Sequence, residues 1–185
     1  MTGSVLNGRS AGRWPLGQSC RIQHNSINDY SGISIFMRYT LRTLTVQQFQ
    51  RASKMILACE IVRQRERQGF PNKLGDSPIS IGLWVGRKTT PNRWFEAKDK
   101  VYETEGSTPN QIQLCPSCGN KLKWQKIPYD SIINFIVTPI CQNTNCVVNE
   151  LGNLPIYTVD DYIYEKKPTL LIGTIDKFAQ IARSD

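Results

Sequence analysis

Two close pairs of cysteines constrain the fold of this chain more than any other feature of its sequence. The first pair is Cys115 and Cys118 in CPSCG, the second is Cys141 and Cys146 in CQNTNC, and 22 residues separate them. A Cys-x-x-Cys turn directs both sulfur atoms at one ion, and a second pair completes four ligands around tetrahedral Zn²⁺. The spacing therefore predicts that these four cysteines bind one zinc ion.

Two other uses of the cysteines remain open at the level of sequence, namely two disulfide bonds or a redox-active dithiol. A reducing cytosol disfavours the disulfides, and a dithiol does not need a second pair. Pro116 and Gly119 fit a tight turn, and CPSCG is similar to the knuckle of a zinc ribbon. Because four thiolates leave no ligand position for water or substrate, we expect the metal to be structural.

The positive charge of the chain is concentrated in its N-terminal third. The whole chain carries 23 Lys and Arg against 15 Asp and Glu, a formal charge of +8. Between Met1 and Cys59 one carboxylate, Asp29, accompanies seven cations: Arg9, Arg13, Arg21, Arg38, Arg42, Arg51 and Lys54. This imbalance favours a polyanionic partner such as nucleic acid, and solubility alone is the alternative.

The remaining composition indicates a folded protein without a membrane span. No apolar run approaches the roughly 18 to 20 residues that a membrane helix needs. We therefore expect a cytoplasmic protein with no membrane partner. Residues 1–30 are rich in Gly, Ser and Asn, which predicts a flexible basic arm.

Order is predicted to begin after that arm, with a strand, a long helix and a second strand. Gly32–Tyr39 reads as a buried strand, and Thr45 with Gln48 predicts a capping box at the start of the helix. Ile79–Gly86 follows as the next strand, giving a β-α-β unit with a parallel pair. The helix is expected to bury one face, formed by Phe49, Ala52, Ile56, Cys59 and Val62.

The second half of the chain reads as an insertion followed by a return to the α/β pattern. From residue 93 to 154 the chain is mostly polar and holds both cysteine pairs, so the metal would have to supply its folding energy. A third buried strand, TLLIGT, then leads into the helix IDKFAQIA. We therefore predict an α/β protein with parts at 31–92 and 155–185 and a zinc-ribbon insertion at 93–154.

The two junctions between a strand and the following helix share a pattern that suits phosphate. YTLRTLT and LLIGTIDK place small or hydroxyl residues where free amides and the helix dipole attract anions. Helix capping without any ligand is the alternative. In an open parallel sheet both junctions lie on one edge. The predicted contacts with a nucleic-acid backbone are Arg42, Thr45, Gly173, Thr174 and Lys177.

Six segments occur along the chain in a characteristic order: MRYTLRTLTVQQFQRA, IGLWVGRKTTPN, CPSCG, CQNTNC, LPIYTVDDYIY and PTLLIGTIDKFA. Taken together, these segments resemble the first RecA-like lobe of superfamily-two helicases, as in the helicase subunit of the DISARM anti-phage system and its relatives. The resemblance covers roughly residues 31–183. It implies a partial RecA-like parallel sheet with flanking helices and an inserted zinc ribbon. Tyr39–Thr45 would match helicase motif Ia and Gly173–Lys177 motif Ib, which hold the sugar-phosphate backbone of one strand.

The same resemblance indicates which parts of an ATPase are missing. The family needs a G-x-x-x-x-G-K-[ST] loop before motif Ia and a D-E-x-H-type pair beyond motif Ib to hold Mg²⁺. The chain stops before the second, and GSVLNGRS (Gly3–Ser10) is a near match to the first with Arg9 in the lysine position. We expect ATP and Mg²⁺ to act only in a complete parent protein, and this chain alone to lack ATPase activity.

Two functional interpretations follow. In the first, the chain is a gene fragment, a truncated reading frame or one piece of a split protein. It then binds DNA, single- or double-stranded, beside a separate chain that carries the missing helicase parts. In the second, the chain is a stand-alone zinc-ribbon module that contacts nucleic acid or a protein partner. The residues expected to contribute in that case are Trp84, Arg87, Lys88, Arg93 and Trp94.

Overall fold

The computed structural model describes residues 32–69, 74–129 and 134–181. The predicted basic arm and the loop-like segment Gly3–Ser10 lie outside these residues. No helix within the described ranges is long and apolar enough to cross a membrane. The elements in chain order are β1 (Ile35–Tyr39), α1 (Arg42–Gly69), β2 (Ile81–Trp84), α2 (Trp94–Asp99), β3 (Leu122–Pro128), β4 (Phe135–Cys141), a 3₁₀ helix (Val147–Leu151), β5 (Ile156–Tyr157), α3 (Asp160–Lys166), β6 (Leu170–Thr174) and α4 (Ile175–Ile181).

Four strands form a parallel sheet in the order β1-β6-β2-β5. Strand β6 pairs with β1 from Leu170, opposite Ile35, to Thr174, opposite Tyr39. On its other side β6 pairs in parallel with β2. Every residue of β2 and β6 is buried, as expected for apolar strands covered by helices on both faces. The predicted α/β class, with a parallel sheet and flanking helices, is confirmed.

The predicted pairing of the first two strands with each other is wrong. β1 and β2 run parallel, but β6 lies between them. β1 is also not a buried strand, because it lies at the end of the described sheet. Ile35 is 52% exposed and Met37 is 39% exposed. Sequence order alone could not reveal this arrangement, since the intervening strand comes from the far end of the chain.

The start of helix α1 differs from the predicted capping box. The helix begins at Arg42, so Thr45 lies within its first turn rather than at its cap. The backbone N–H of Thr45 donates to the Leu41 carbonyl at 2.9 Å, and its Oγ1 donates to the same oxygen at 2.8 Å. Thr45 therefore bonds back into the helix, as hydroxyl side chains inside helices often do.

The buried face of α1 was predicted only in part. Phe49 and Ile56 are buried, but Cys59 is exposed and Val62 is 53% exposed. In the second half of the helix the buried stripe passes through neighbouring positions and combines apolar residues with a buried ion pair. The buried residues of α1 are Thr45, Phe49, Ser53, Ile56, Leu57, Glu60, Ile61 and Arg63.

That ion pair joins α1 to the segment before β2. Arg63 donates to both carboxylate oxygens of Glu60, each at 2.7 Å, and also to the Gly75 carbonyl at 3.0 Å. The backbone N–H of Ile79 donates to the same carboxylate at 2.7 Å. Both charges are thus paired and hydrogen-bonded, which is the condition for burying them without a large penalty.

The predicted insertion contains an antiparallel hairpin of β3 and β4, in which Leu122 lies opposite Cys141. Its side chains share one hydrophobic core with the parallel sheet. Trp124 donates from Nε1 to the Ile112 carbonyl at 3.0 Å, and Thr138 donates to the Leu154 carbonyl at 2.9 Å. The hairpin is therefore packed onto the α/β core, and the domain boundaries at 93 and 154 stay a prediction.

Candidate metal centre and nucleic-acid interface

The four cysteines of the two predicted pairs converge at one end of the hairpin. Their Sγ atoms all lie within 4.8 Å of one another. Cys115 precedes a turn, Cys141 is the last residue of β4, and Cys146 immediately precedes the 3₁₀ helix. Cys115, Cys141 and Cys146 are buried, whereas Cys118 is exposed.

Local backbone geometry brings each pair together. Gly119 adopts a positive φ of 75°, and its N–H donates to the Cys115 carbonyl at 2.9 Å. A side chain would have open space at Gly119, so the glycine is needed for its conformation and not for room. In the second pair, the N–H of Cys146 donates to the Asn143 carbonyl at 2.9 Å and closes that turn.

The sulfur positions fit a tetrahedral metal site. Four thiolates at about 2.3 Å from Zn²⁺ lie about 3.8 Å from one another. Cys118 Sγ lies 3.5 Å from Cys141 Sγ, and Cys115 Sγ lies 3.7 Å from Cys146 Sγ. The four clustered cysteines can therefore hold a metal ion such as zinc, with no ligand position left for a reacting water.

Hydrogen bonding and burial give three of the four cysteine thiols different pKa values. Hydrogen bonds from the side chain and backbone of Asn120 lower the pKa of the Cys118 thiol to about 6. Burial raises the pKa of Cys141 to about 12, and burial also raises the pKa of Cys115. Near neutral pH Cys118 is thus the first of these three to become a thiolate, and a cation is needed to deprotonate the buried ones.

The two junctions predicted to bind a nucleic-acid backbone lie side by side. Tyr39, the last residue of β1, pairs with Thr174, the last residue of β6. The first residues of α1 and α4 therefore leave the sheet at neighbouring positions on its carboxyl edge.

The predicted contact residues at this edge differ in their exposure. Arg42 is exposed, whereas Thr45, Gly173, Thr174 and Lys177 are buried. Arg42 is thus the one member of this set whose side chain reaches solvent.

Lys177 lies in a buried ion pair rather than at the surface. Its Nζ donates to Asp160 Oδ2 at 2.5 Å, and both residues are 4% exposed. The ammonium group also lies 5.7 Å from the centre of the Trp84 ring. Burial raises the pKa of Asp160, and the charge of Lys177 opposes that shift. The charge of Lys177 is therefore already matched inside the protein.

Gly173 has a packing role that the sequence does not reveal. A Cβ atom at this position would lie 3.0 Å from the backbone oxygen of Trp84 and 3.5 Å from the Trp84 Cβ. Trp84 pairs with Gly173 across β2 and β6. The glycine thus allows the two strands to approach where the bulky indole lies.

Sequence reasoning missed the loop that follows β2 as a neighbour of Arg42. A Cβ atom at Gly86 would lie 3.2 Å from Nη2 of Arg42, so the guanidinium group lies over this glycine. The next residues, Arg87 and Lys88, are exposed. The Gly-Arg-Lys sequence follows the apolar run of β2 and Val85. This position at the carboxyl end of a buried strand could have indicated that the loop lies on the same edge.

The tryptophans expected to contact nucleic acid in the second interpretation are used for packing. Trp84 is 2% exposed and lies edge-on to Tyr164. Trp94 is half-buried, and its ring lies edge-on to Phe135 of β4 at 5.0 Å. Of the cations in that set, Arg87 pairs with Glu96 at 2.5 Å and Arg93 pairs with Asp161 at 3.5 Å.

Comparison with known proteins shows that the chain is similar to part of a larger protein. No protein-family model matches it. It is 36% identical over 161 residues to the DISARM protein DrmA of Bacillus paralicheniformis, a match that covers 81% of this chain. The same match covers 14% of DrmA. The chain is therefore a homologue of one region of DrmA and spans about one seventh of its length.

Proposed function

We propose that this chain is the part of a helicase-like lobe that binds the nucleic-acid backbone and that it carries a zinc-stabilised hairpin. The homology to a region of DrmA and the resemblance to a first RecA-like lobe support this proposal. The observation that carries it is the position of Arg42, exposed at the carboxyl edge of the parallel sheet and lying over Gly86.

The start of helix α1 at this edge favours an anion. Arg42 opens a helix of 28 residues with no acidic residue in its first turn. The free amides and dipole of such a helix end attract phosphate, and ligands of open parallel sheets bind at this edge. Thr40 and Lys88 are also exposed on the segments that follow β1 and β2. A phosphate beside Arg42 would thus have a second cation, Lys88, and a hydroxyl group, that of Thr40, on the neighbouring segments.

The buried residues among the predicted nucleic-acid contacts stabilise the fold and do not contact the ligand themselves. Thr45 bonds to the Leu41 carbonyl, Gly173 admits Trp84, and Lys177 pairs with Asp160. We assign these residues, together with Thr174, to holding the two junctions in place. Arg42 and Lys88 are then the side chains that contact phosphate directly.

Zinc is the metal that fits the four cysteines best. An all-sulfur set of Cys115, Cys118, Cys141 and Cys146 suits Zn²⁺, which would neutralise the thiolates and link the two turns. The ion has a structural role here.

The hairpin itself offers a second candidate surface for nucleic acid or a protein partner. Three lysines of this hairpin are exposed: Lys121 directly precedes β3, and Lys123 and Lys126 lie within it. From residue 106 to 149 the chain has one carboxylate, Asp130. This basic row supports the interpretation as a stand-alone zinc-ribbon module, in which the sheet edge has no role in binding.

Binding measurements on matched variants distinguish the two candidates. Fluorescence anisotropy of a labelled single-stranded oligonucleotide, with duplex DNA and RNA in parallel, would compare Arg42→Ala and Lys88→Ala with Lys121→Ala and Lys123→Ala. The proposal predicts loss of affinity for the first two variants only. Loss confined to the hairpin variants would favour the zinc-ribbon module, and the exposed Lys54→Ala serves as the control for a general change in charge.

A further inference from the structure

We propose that Cys118 is an oxidation site at which a peroxide converts the metal centre into a Cys118–Cys141 disulfide with release of the metal. This inference rests on the proposed binding of zinc by the four cysteines. It assigns to one of them a reactivity that a purely structural site does not need.

Access separates Cys118 from the other three ligands. Cys115, Cys141 and Cys146 are buried, whereas Cys118 lies exposed in the turn between Pro116 and Gly119. A thiolate that is exposed to solvent is the form that attacks a peroxide.

The sulfur atom in contact with Cys118 determines which cysteine forms the disulfide with it. Cys141 Sγ lies 3.5 Å from Cys118 Sγ, and it belongs to the other pair. A disulfide requires about 2.05 Å, so the two sulfurs must approach by about 1.5 Å. The product therefore links the turn after Cys115 to the end of β4.

The chemistry balances with a peroxide as the oxidant. The Cys118 thiolate attacks one peroxide oxygen and becomes a sulfenic acid, and the other oxygen leaves as hydroxide. The Cys141 thiolate then attacks the sulfenic sulfur, forms the disulfide and displaces a second hydroxide. Two sulfurs lose one electron each, hydrogen peroxide gains both, and two protons from solvent convert the hydroxides to water. Only Cys115 and Cys146 remain as thiolate ligands, so the metal is held by half of its former ligand set.

The hairpin has contacts that keep it in place after this reaction. Trp124 donates to the Ile112 carbonyl, Thr138 donates to the Leu154 carbonyl, and Phe135 packs against Trp94. The new cross-link also replaces the connection that the metal supplied. Oxidation is therefore expected to release the metal without unfolding the α/β core, and a thiol reductant should reverse it.

The experiment uses the full chain loaded with Zn²⁺ in a background of Cys20→Ser and Cys59→Ser, which removes the other two thiols. Hydrogen peroxide is added stepwise while a chromogenic chelator reports free zinc, and mass spectrometry locates disulfides after alkylation. We expect one zinc released for each Cys118–Cys141 link and its recovery after dithiothreitol and fresh Zn²⁺.

Each other outcome counts against a defined part of the proposal. Zinc that stays bound while peroxide is consumed overturns the oxidation site. A link within one pair, such as Cys115–Cys118, overturns Cys141 as the partner. Both outcomes leave the assignment of the metal site intact. A chain that takes up no zinc before oxidation overturns the metal assignment, and the release step with it.

Discussion

Lys177 Nζ lies 2.5 Å from Asp160 Oδ2, and both side chains are almost completely shielded from solvent. This pair connects the start of α4 to the start of α3. The neighbouring residue Asp161 accepts from the backbone N–H of Trp94 at 2.9 Å. The carboxyl edge of the sheet is thus tied through α3 to the segment that packs on the hairpin.

The ion pair predicts a large asymmetry between single and double replacements. Lys177→Ala leaves the Asp160 carboxylate buried without its cation, and we expect a loss of about 3 kcal/mol or more in the free energy of unfolding. Replacing Lys177 by Met and Asp160 by Leu together should restore most of that loss. Urea denaturation followed by circular dichroism measures both, with the exposed Lys54→Ala as a control that changes little. A cost below about 1 kcal/mol for Lys177→Ala would contradict the assignment.

Two glycines at the same edge predict opposite phenotypes. Gly173→Ala places a methyl group against the Trp84 backbone, which cannot rotate away, and should destabilise the fold by about 1 to 3 kcal/mol. Gly86→Ala meets only the mobile end of Arg42, so stability should be nearly unchanged while nucleic-acid affinity falls. Thermal unfolding and oligonucleotide binding, measured on both variants, separate these effects. Equal destabilisation by the two substitutions would show that the guanidinium group is not free to move.

Metal removal should act on the hairpin before the sheet. Without the metal, the buried Cys115 and Cys141 lose the charge that favours their thiolate forms, and the two turns lose their link. Cobalt substitution should give the visible absorption of a tetrahedral thiolate site at one ion per chain. Amide hydrogen exchange after chelation should rise in β3 and β4 more than in β2 and β6. Unchanged exchange in the hairpin, or a chain that binds no cobalt, would contradict a structural metal.

The metal centre could be predicted from the sequence because its four cysteines lie in two short segments. The Cys-x-x-Cys turn with Gly119 defines one pair, the five-residue step from Cys141 to Cys146 defines the other, and a hairpin is enough to bring them together. The parallel sheet was also predictable from three apolar runs that alternate with helical segments. Each of these inferences uses residues that are close in the chain.

The structure differs from expectation in features that depend on which distant segment of the chain lies alongside. Lys177 has the sequence appearance of a surface cation, but Asp160 of another helix pairs with it inside the protein. Cys59 fits the apolar spacing of α1, yet it is exposed, and the neighbouring Glu60 is buried in an ion pair with Arg63. The place of β6 between β1 and β2 likewise follows from tertiary packing, which periodicity does not encode.

Tyr157 predicts a loss of stability at high pH. Burial, with smaller contributions from Tyr129 and Glu60, raises the pKa of Tyr157 to about 12. Because the unfolded chain releases this proton near pH 10, the folded state binds more protons above that pH, and stability falls between about pH 10 and 12. The slope from this group is at most about 1.4 kcal/mol per pH unit, and Tyr157→Phe should remove it. The slope is obtained from urea denaturation at a series of pH values, and an identical slope in Tyr157→Phe would contradict the prediction.

The salt dependence of nucleic-acid binding tests the central claim most directly, because it reports how many phosphates the protein neutralises rather than its overall charge. Affinity for a single-stranded oligonucleotide, measured at several salt concentrations, gives a slope that falls by about 0.7 for each phosphate that the protein no longer neutralises. We predict that Arg42→Ala weakens binding and lowers the slope by about this amount, whereas Arg51→Ala, an exposed cation further along α1, leaves it unchanged. Identical slopes for Arg42→Ala and the unmodified chain would contradict a phosphate site at the carboxyl edge of the sheet.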